Sequence, residues 1–333
     1  MAKQLKSSKL KKRSIILAVN ILPILVCLFL GELYLRRIGL QPYQRTYPEQ
    51  YQDEPGVIWV QTDSVLGWTV DPAFLPAEIN PQGFRASQDF TKLANNADKS
   101  RVMIVGDSFT FGTHLAVEDS YASLMQAQLS DTHEVYNLGV PGYGVDQMAL
   151  TYHQFKDLIE PDIVILTFID DDIERVLEAF RIVEKLNKPS FTLVGDELIA
   201  RPAAGKATLF FSNLIGKSVF FSYLLRESYF VLEAKPVVNK MLNDIEQDIG
   251  EQGGGFVVVR IPTQDQFGRM QTQRRRLIGV EDMLAGTRAT YLSPVEEVVQ
   301  TPDWKTSLYF TDGHLNEMGN QLLADYIVEQ VFQ

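Results

Sequence analysis

Cysteine and histidine are scarce in this chain of 333 residues, which has a single cysteine, Cys27, and four histidines. One thiol cannot close an intramolecular disulfide, so a disulfide-stapled fold is excluded. Basic residues are also in the minority, with 31 Lys and Arg against 42 Asp and Glu and a formal net charge of −11. Because an acidic surface does not neutralise phosphates, we expect no nucleic-acid partner. Hydrophobic residues, at 45%, suffice for a full-sized core.

Charge is absent from one long segment near the N-terminus. Residues 14–31 carry no charged side chain, and six Lys or Arg residues precede them. As a helix with a rise of ~1.5 Å per residue, this segment covers about 27 Å, and the residues up to 35 complete a bilayer span. We therefore predict a cytoplasmic basic tail over 1–13 and an uncleaved transmembrane signal anchor over 14–35. The positive-inside rule then predicts a single-pass membrane protein whose remainder is exported, periplasmic or extracellular.

The rest of the chain falls into two parts. Residues 36–100 contain six prolines and few periodic apolar runs, which indicates a membrane-proximal extension with short strands. From Arg101 onwards, short β-branched runs alternate with helical periodicity. Such alternation predicts right-handed crossovers and a parallel sheet covered by helices, so we expect an α/β domain over 101–333. The five predicted strands are near residues 101–105, 134–138, 162–168, 256–262 and 289–293.

An insertion over residues 182–236 separates the third and fourth predicted strands. Alternating side chains on both sides of Gly195 and Asp196 predict a two-residue hairpin. Residues 209–225 are strongly apolar, but Lys217 at their centre favours a buried or interfacial helix pair over a second membrane span.

Ser108 follows the first predicted strand of the α/β domain, in the segment RVMIVGDSFTFG. A nucleophilic serine needs a base, an orienter for that base and donors for the oxyanion. His314, in the segment TDGHLNEMG just before the last predicted helix, is the candidate base, and Asp312 lies two residues before it. We interpret Asp107 as shaping the serine turn through nearby backbone groups. The remaining histidines, His114, His133 and His153, are interpreted as surface or structural residues.

Four segments occur in a fixed order along the chain: IVGDSFTFG, YNLGVPGYG, VILTFIDDDI and TDGHLNEMG. Together they resemble the four sequence blocks of the SGNH or GDSL hydrolases, over roughly residues 101–333. The earlier segments LGWTV and INPQGFR resemble the lead-in of membrane-anchored bacterial members. The resemblance implies a three-layer α/β/α, flavodoxin-like domain with a parallel sheet, a serine esterase activity and no cofactor.

Carried onto this sequence, the resemblance makes Ser108 the nucleophile, His314 the general base and Asp312 its orienter. It also implies an oxyanion hole formed by the backbone N–H groups of Ser108 and Gly142, with Gly139 as an alternative to Gly142. The spacing of Asp312 and His314 is similar to the Asp-x-His form of the exported polysaccharide O-acetyltransferase branch, in which the alginate-modifying members are best known.

The third segment departs from the family pattern. Where the family has Asn-Asp, with the Asn amide donating to the oxyanion, this chain has Asp171 and Asp172. An ionised carboxylate cannot donate a hydrogen bond and would repel the developing charge. Three outcomes stay open: Asp171 is protonated, Asp171 points away and two backbone donors suffice, or activity is low or specialised. We interpret the acidic run 170–172 as the start of a helix and not as a metal site, and expect no metal requirement.

The sequence thus predicts a serine esterase that acts through an acyl-enzyme intermediate on an ester, for example an O-acetyl group of an envelope or exported glycan. Two alternatives are O-acetyl transfer to a polysaccharide, which would use the same triad, and a non-catalytic anchored binding module. Because Ser108 and His314 must share one compartment, residues 209–225 are expected to form a lid, a core helix or a membrane-surface element.

Overall fold

A computed structural model describes nine segments of the chain: 21–39, 60–75, 77–86, 88–92, 98–181, 186–201, 218–220, 233–264 and 283–333. The chain divides into two compact units. The smaller comprises Met1–Glu54 with Gly205–Tyr229, and the larger comprises Pro55–Ala204 with Phe230–Gln333.

The larger unit contains eleven strands among its described residues. In chain order they are β1 (Val60–Asp63), β2 (Gly67–Val70), β3 (Ser100–Gly106), β4 (His133–Gly139), β5 (Ile163–Phe168), β6 (Phe180–Arg181), β7 (Leu186–Asn187), β8 (Phe191–Val194), β9 (Glu197–Ala200), β10 (Gly255–Arg260) and β11 (Thr290–Leu292). Its main helices are α1 (Ser108–Phe111), α2 (Tyr121–Leu129), α3 (Val145–Ile159), α4 (Asp170–Arg175), α5 (Lys235–Glu251), α6 (Val295–Gln300), α7 (Trp304–Ser307) and α8 (Glu317–Phe332).

Five of these strands form the central sheet, in the spatial order β4-β3-β5-β10-β11. Every pairing within it is parallel. This is the flavodoxin-like order, in which ligands bind beyond the carboxyl ends of the strands, where the connections diverge between β3 and β5. The predicted α/β fold with a parallel sheet, including its fourth and fifth strands, is confirmed.

Side chains of β3 alternate between two hydrophobic cores. Met103 and Val105 belong to the core that includes buried residues of α3 and α5, whereas Val102 and Ile104 belong to the core that includes those of α2 and α8. Helices therefore cover both faces of the sheet, which explains why the strand segments are continuously apolar rather than alternating with polar residues.

Residues that were predicted to form a separate extension pack into the main core. Strands β1 and β2 form an antiparallel hairpin, and Trp68, Phe84 and Phe90 are fully buried in the same core as Met103. The compact unit accordingly begins at Pro55 and not at the predicted boundary of residue 100. The aromatic residues of this segment are irregularly spaced, so sequence periodicity did not indicate their burial.

The insertion contains the predicted hairpin. Strands β8 and β9 pair antiparallel around Gly195, whose φ is +66°, and this confirms the sequence interpretation. Of the apolar stretch 209–225, only residues 218–220 belong to the described segments, so its predicted role lies outside them.

In the smaller unit, residues 21–37 are helical, and residues 14–20 of the predicted anchor lie outside the described segments. Glu32 accepts hydrogen bonds from Ser218 Oγ at 2.8 Å and from the backbone N–H of Phe220 at 2.9 Å. No helix in the described part of the chain combines the length and the apolar composition that a membrane crossing requires.

Candidate active site

Ser108 is the first residue of α1, at the carboxyl end of β3. The preceding Asp107 is fully buried and caps this helix, because its Oδ1 accepts a hydrogen bond from Phe109 N–H at 2.9 Å. The structural role predicted for Asp107 is thereby confirmed. Ser108 is itself partly exposed, whereas the Asp107 side chain that caps its helix is buried.

Three buried hydroxyl groups lie under the serine turn. Thr110 and Thr167 share a hydrogen bond, and the Tyr121 hydroxyl donates to Thr110 Oγ1 at 3.0 Å. A Cβ atom added to Gly106 would lie 1.9 Å from Thr110 Oγ1. Only glycine therefore fits at position 106, the end of β3. Packing thus explains why the Gly-Asp-Ser segment begins with glycine.

Ser108, His314 and Asp312 lie in one line of hydrogen bonds. The distance from His314 Nε2 to Ser108 Oγ is 2.9 Å, and that from His314 Nδ1 to Asp312 Oδ2 is 2.8 Å. An ionised carboxylate only accepts, so the ring proton of neutral His314 lies on Nδ1. Its Nε2 is then free to accept the Ser108 proton, as a general base requires.

The loop before α8 brings Asp312 and His314 together. Gly313 between them has φ of +92°, a conformation that glycine adopts without strain. After this bend, the His314 carbonyl accepts a hydrogen bond from Phe310 N–H at 2.8 Å. Asn316 then caps α8 by accepting from Gly319 N–H at 3.0 Å. The Asp-x-His spacing is thus built on a tight turn fixed at both ends.

Asp312 is held in its ionised form. Burial by itself raises the pKa of this carboxyl, but hydrogen bonds from His314 and His114 outweigh it and hold the pKa of Asp312 well below its usual range. The ring of Phe109 packs against that of His314, with 5.0 Å between ring centroids. The imidazole is therefore oriented by a charge on one side and by an apolar ring on the other.

His114 was interpreted as a surface or structural residue, and it is exposed in the structure, but it makes a contact that the sequence did not predict. Its Nε2 lies 2.7 Å from Asp312 Oδ2, the same oxygen that His314 contacts. The only sequence signal for this contact was the position of His114 six residues after Ser108. Its backbone has φ of +71°, which turns the side chain in a way that helical or extended backbone would not.

The glycine segment, YNLGVPGYG (residues 136–144), contains two glycines considered as oxyanion donors, and in the described part of the chain only one of them has a free N–H group. Gly139 N–H donates to Asn137 Oδ1 at 2.9 Å, so this N–H is already engaged. Within the described residues, the N–H groups of Gly142 and Ser108 have no protein acceptor. Gly142, with φ of +84°, lies in a turn closed by a 3.3 Å hydrogen bond from Tyr143 N–H to the Val140 carbonyl.

Strand β2 and its flanks hold the glycine segment in place. Trp68 Nε1 donates to the Pro141 carbonyl at 3.3 Å, and the Tyr143 hydroxyl donates to the Trp68 carbonyl. The two rings also meet edge to face, with 5.5 Å between centroids. Gln147 Nε2 donates to the Leu66 carbonyl at 2.7 Å. The segment LGWTV is thus a support for the candidate oxyanion loop.

Asp170 and Asp171 begin α4, at the carboxyl end of β5. Asp170 makes a two-pronged ion pair with Arg260, in which both N–O distances are 2.7 Å. Asp171 is partly exposed. Its predicted place at the oxyanion hole stays a prediction.

Asp172 and Asp107 share one guanidinium group below the site. Arg175 Nη1 contacts Asp172 Oδ1, lies 3.4 Å from Asp107 Oδ2 and donates to the Tyr143 carbonyl at 2.9 Å. Burial, and then the negative charge of Asp107, raise the pKa of Asp172 well above its usual range, although Arg175 opposes this. The glycine segment and the serine turn are therefore linked through Arg175.

A Ser–His–Asp line at the carboxyl edge of a parallel sheet is the arrangement of serine hydrolases with an α/β fold. The family model described as GDSL-like lipase/acylhydrolase matches residues 102–327, and the chain belongs to this family. The resemblance stated from the four sequence segments is confirmed, and the protein is a hydrolase that acts on ester bonds.

Several solved structures are similar to this chain. An acetylxylan esterase from Geobacillus stearothermophilus is 14% identical, with 71% of this chain and 96% of that chain covered and a TM-score of 0.44. A lipolytic protein of the G-D-S-L family from Veillonella parvula DSM 2008 is 14% identical, with 70% and 98% covered and a TM-score of 0.42. A lipase/acylhydrolase from Enterococcus faecalis is 16% identical, with 70% and 95% covered and a TM-score of 0.42. No curated protein matches the chain.

Proposed function

We propose that this protein hydrolyses a carboxylic ester through an acyl-enzyme intermediate, with Ser108 as nucleophile, His314 as general base and Asp312 as its orienter. The observation that carries the proposal is the unbroken line of contacts from Ser108 Oγ to His314 Nε2, at 2.9 Å, and from His314 Nδ1 to Asp312 Oδ2, at 2.8 Å. Both distances are those of formed hydrogen bonds.

The proposed reaction has two halves. Ser108 Oγ attacks the ester carbonyl while its proton passes to His314 Nε2, and the resulting oxyanion accepts hydrogen bonds from Ser108 N–H and Gly142 N–H. The tetrahedral intermediate then releases the alcohol, which takes the proton from His314. In the second half, a water molecule attacks the acyl-enzyme, and His314 takes and returns one proton in the same way. Asp312 stays ionised throughout.

The substrate class we propose is a short acyl ester carried on a large molecule, with the O-acetyl group of an envelope or exported glycan as the leading candidate. Ser108 is partly exposed and the His314 side chain is 24% exposed, so the reacting atoms lie at the surface. An exposed site admits an ester that is attached to a polymer. Asp171 is proposed as an oxyanion neighbour that acts, if protonated, as a third donor.

We also propose that residues 14–35 anchor the protein in a membrane, with the N-terminus in the cytoplasm and the hydrolase domain exported. Support comes from the uncharged sequence and from the apolar side chains of the helix over 21–37, among which Leu22 and Phe29 are each 62% exposed. A lipid environment would cover such side chains.

Ser108→Ala tests the hydrolase proposal, with Ser130→Ala as matched control because Ser130 is an exposed serine outside the site. The full-length chain and the control should hydrolyse a chromogenic acetyl ester and be labelled by a fluorophosphonate. Ser108→Ala should lose both properties. Equal hydrolysis by Ser108→Ala and the wild type would exclude Ser108 as nucleophile, and no labelling of the wild type at any pH would favour a binding module.

The second candidate is transfer of an acetyl group to a polysaccharide. It is favoured by the Asp-x-His spacing of Asp312 and His314, and it differs only in that a sugar hydroxyl replaces water in the second half. Incubation with an acetyl donor and a glycan acceptor decides between the two. Acetylated glycan formed at the expense of free acetate would support transfer, whereas acetate alone would support hydrolysis.

A further inference from the structure

Two imidazole rings converge on one carboxylate oxygen in this site. His114 Nε2 lies 2.7 Å from Asp312 Oδ2, and His314 Nδ1 lies 2.8 Å from the same atom. The rings are nearly perpendicular, with 5.5 Å between centroids and 82° between planes. One ligand atom from each of the three residues lies within 4.8 Å of the other two. A Ser–His–Asp triad needs only one of these imidazoles, so the second calls for a chemical explanation.

We propose that His114, Asp312 and His314 form a binding site for a divalent transition-metal ion of the Zn²⁺ class, and that metal binding switches the hydrolase off. The metal site stands on the geometry of the three residues. Its inhibitory effect rests on the proposed function, because it acts through His314.

The donor set fits Zn²⁺ in number and chemistry. Two imidazole nitrogens and one carboxylate oxygen are a common set of protein ligands for Zn²⁺, and the fourth tetrahedral position is left for water. Two ligands ~2.0–2.1 Å from a tetrahedral metal are about 3.3 Å apart. The present N–O contacts of 2.7 and 2.8 Å would therefore open by only about half an ångström each. Imidazole also disfavours Mg²⁺ and Ca²⁺, which prefer oxygen ligands.

The three ligand side chains are exposed enough for a metal ion to reach them. The side chain of His114 is 45% exposed, while those of Asp312 and His314 are 13% and 24% exposed. Asp312 and His314 are fixed by the turn at Gly313, so His114 is the ligand that can approach or withdraw. Its ring is nearly perpendicular to that of Phe310, with 5.8 Å between centroids.

Metal binding would place the wrong tautomer in the triad. As a general base, His314 carries its proton on Nδ1 and accepts from Ser108 at Nε2. When Nδ1 binds the metal, the single ring proton of neutral His314 must move to Nε2, which then donates to Ser108 Oγ and can no longer accept its proton. The proton of His114 moves in the same way from Nε2 to Nδ1. In each ring the N–H bond at the metal-binding nitrogen is broken and an N–H bond forms at the other nitrogen, with solvent carrying the proton. No proton is lost overall and no oxidant is needed, and removal of the metal restores the active tautomer.

Cobalt binding tests the site without relying on activity. The full-length chain, freed of metals, is titrated with Co²⁺, whose visible absorption reports tetrahedral coordination. The test variant is His114→Asn, since Asn tolerates positive φ, and the matched control is His153→Asn on the exposed face of α3. Wild type, His153→Asn and Ser108→Ala should bind one equivalent, which Zn²⁺ displaces and excess Mg²⁺ does not. His114→Asn should bind at least about tenfold more weakly, because even the loss of an outer-shell partner costs ~10–100-fold.

Zn²⁺ inhibition tests the consequence. Zn²⁺ should abolish hydrolysis by wild type and His153→Asn at concentrations that saturate the Co²⁺ site, and a chelator should restore it. The residual activity of His114→Asn should resist these concentrations. Unchanged Co²⁺ affinity in His114→Asn, or absence of binding in an active wild-type preparation, would overturn the metal site. If Co²⁺ binds as expected but the wild type lacks esterase activity, the metal site is supported and the proposed function fails.

Discussion

Arg85 Nη1 donates a hydrogen bond to the Gly112 carbonyl at 2.6 Å. The sequence analysis placed Arg85 in a separate extension. The contact connects it to the loop that follows the helix of Ser108 and that carries His114. Arg85 Nη2 also donates to the Leu115 carbonyl at 2.7 Å. The Arg85 side chain is 4% exposed, so these carbonyls have little access to water as a replacement donor.

The first prediction concerns this anchor. Arg85→Met should lower the free energy of unfolding by about 2–4 kcal/mol, because it leaves buried carbonyls and the Glu78 carboxylate without their charged donor. Urea denaturation of the full-length chain measures the effect. Lys92→Ala is the control, since Lys92 pairs with Asp89 at a 79% exposed position and its loss should change stability by under about 0.5 kcal/mol. Similar stability of the two variants would contradict the role of Arg85.

The second prediction concerns Tyr143 beside the candidate oxyanion donor. Tyr143→Phe keeps the ring but removes the hydrogen bond to the Trp68 carbonyl. We expect kcat for a chromogenic ester to fall about tenfold while KM changes little, because a displaced oxyanion donor affects the transition state more than ground-state binding. Tyr136→Phe removes a hydroxyl that contacts Glu134 on β4, and it should leave kcat unchanged. Equal kcat in both variants would show that Tyr143 does not position the turn.

The third prediction concerns the acidic run at the start of α4. Asp171→Asn should maintain or raise esterase activity, since the Asn amide can donate to the oxyanion at any pH, whereas the carboxyl can donate only when protonated. Asp170→Asn is the comparison, because it weakens the ion pair with Arg260 and should lower stability by about 3 kcal/mol. Steady-state kinetics and denaturation of both variants check these outcomes. A large loss of activity in Asp171→Asn would show that its carboxylate is required.

The fourth prediction concerns the pH dependence of stability. Burial raises the pKa of Asp248, but hydrogen bonds from Lys156 and Tyr152 outweigh it and lower this pKa below its ordinary value. A carboxyl whose pKa is lowered on folding stabilises the protein above its unfolded pKa of ~3.9 and loses that contribution as pH falls further. Asp248→Asn should therefore lower the free energy of unfolding by about 1 kcal/mol at pH 7 and by progressively less below about pH 4. The effect is this small because Asp248 is partly exposed to solvent.

The control for this effect is Asp157→Asn, a neutralisation at an exposed position on the same helix as Lys156. Its stability difference from the wild type should stay small at every pH. A penalty for Asp248→Asn that is as large at pH 3 as at pH 7 would show that the lost contact does not depend on the carboxylate charge.

The nucleophile, base and orienter proposed from the sequence are Ser108, His314 and Asp312, and the structure brings all three into contact. They could be located because each lies in a short segment that resembles one of the family's sequence blocks, at a strand end for Ser108 and in the Asp-x-His spacing across Gly313 for the other two. Gly142 was preferred to Gly139 on resemblance alone, and its role as oxyanion donor stays a prediction. The hydrogen bond from Gly139 N–H to Asn137 Oδ1 is consistent with that preference.

Three features could not be read from the sequence. The residues after Pro55 belong to the hydrolase unit because their aromatic side chains fill its core, and irregular spacing conceals such burial. The sequence around Arg85 does not indicate that its guanidinium donates to the backbone carbonyls of Gly112 and Leu115. His114 is separated from Asp312 by 198 positions, so their contact depends on how the loop after α1 meets the loop before α8.

The sequence by itself determined the alternation of strands and helices from Arg101 onwards, because that alternation follows from periodicity. The resemblance of four short segments to a known family then indicated the family and the three residues of the candidate triad. The tertiary structure alone decided which groups surround that triad. The supports supplied by Trp68 and Arg85 and the convergence of His114 on Asp312 all join residues far apart in the chain. Such contacts depend on packing directions in three dimensions, which a local pattern of residue types does not encode.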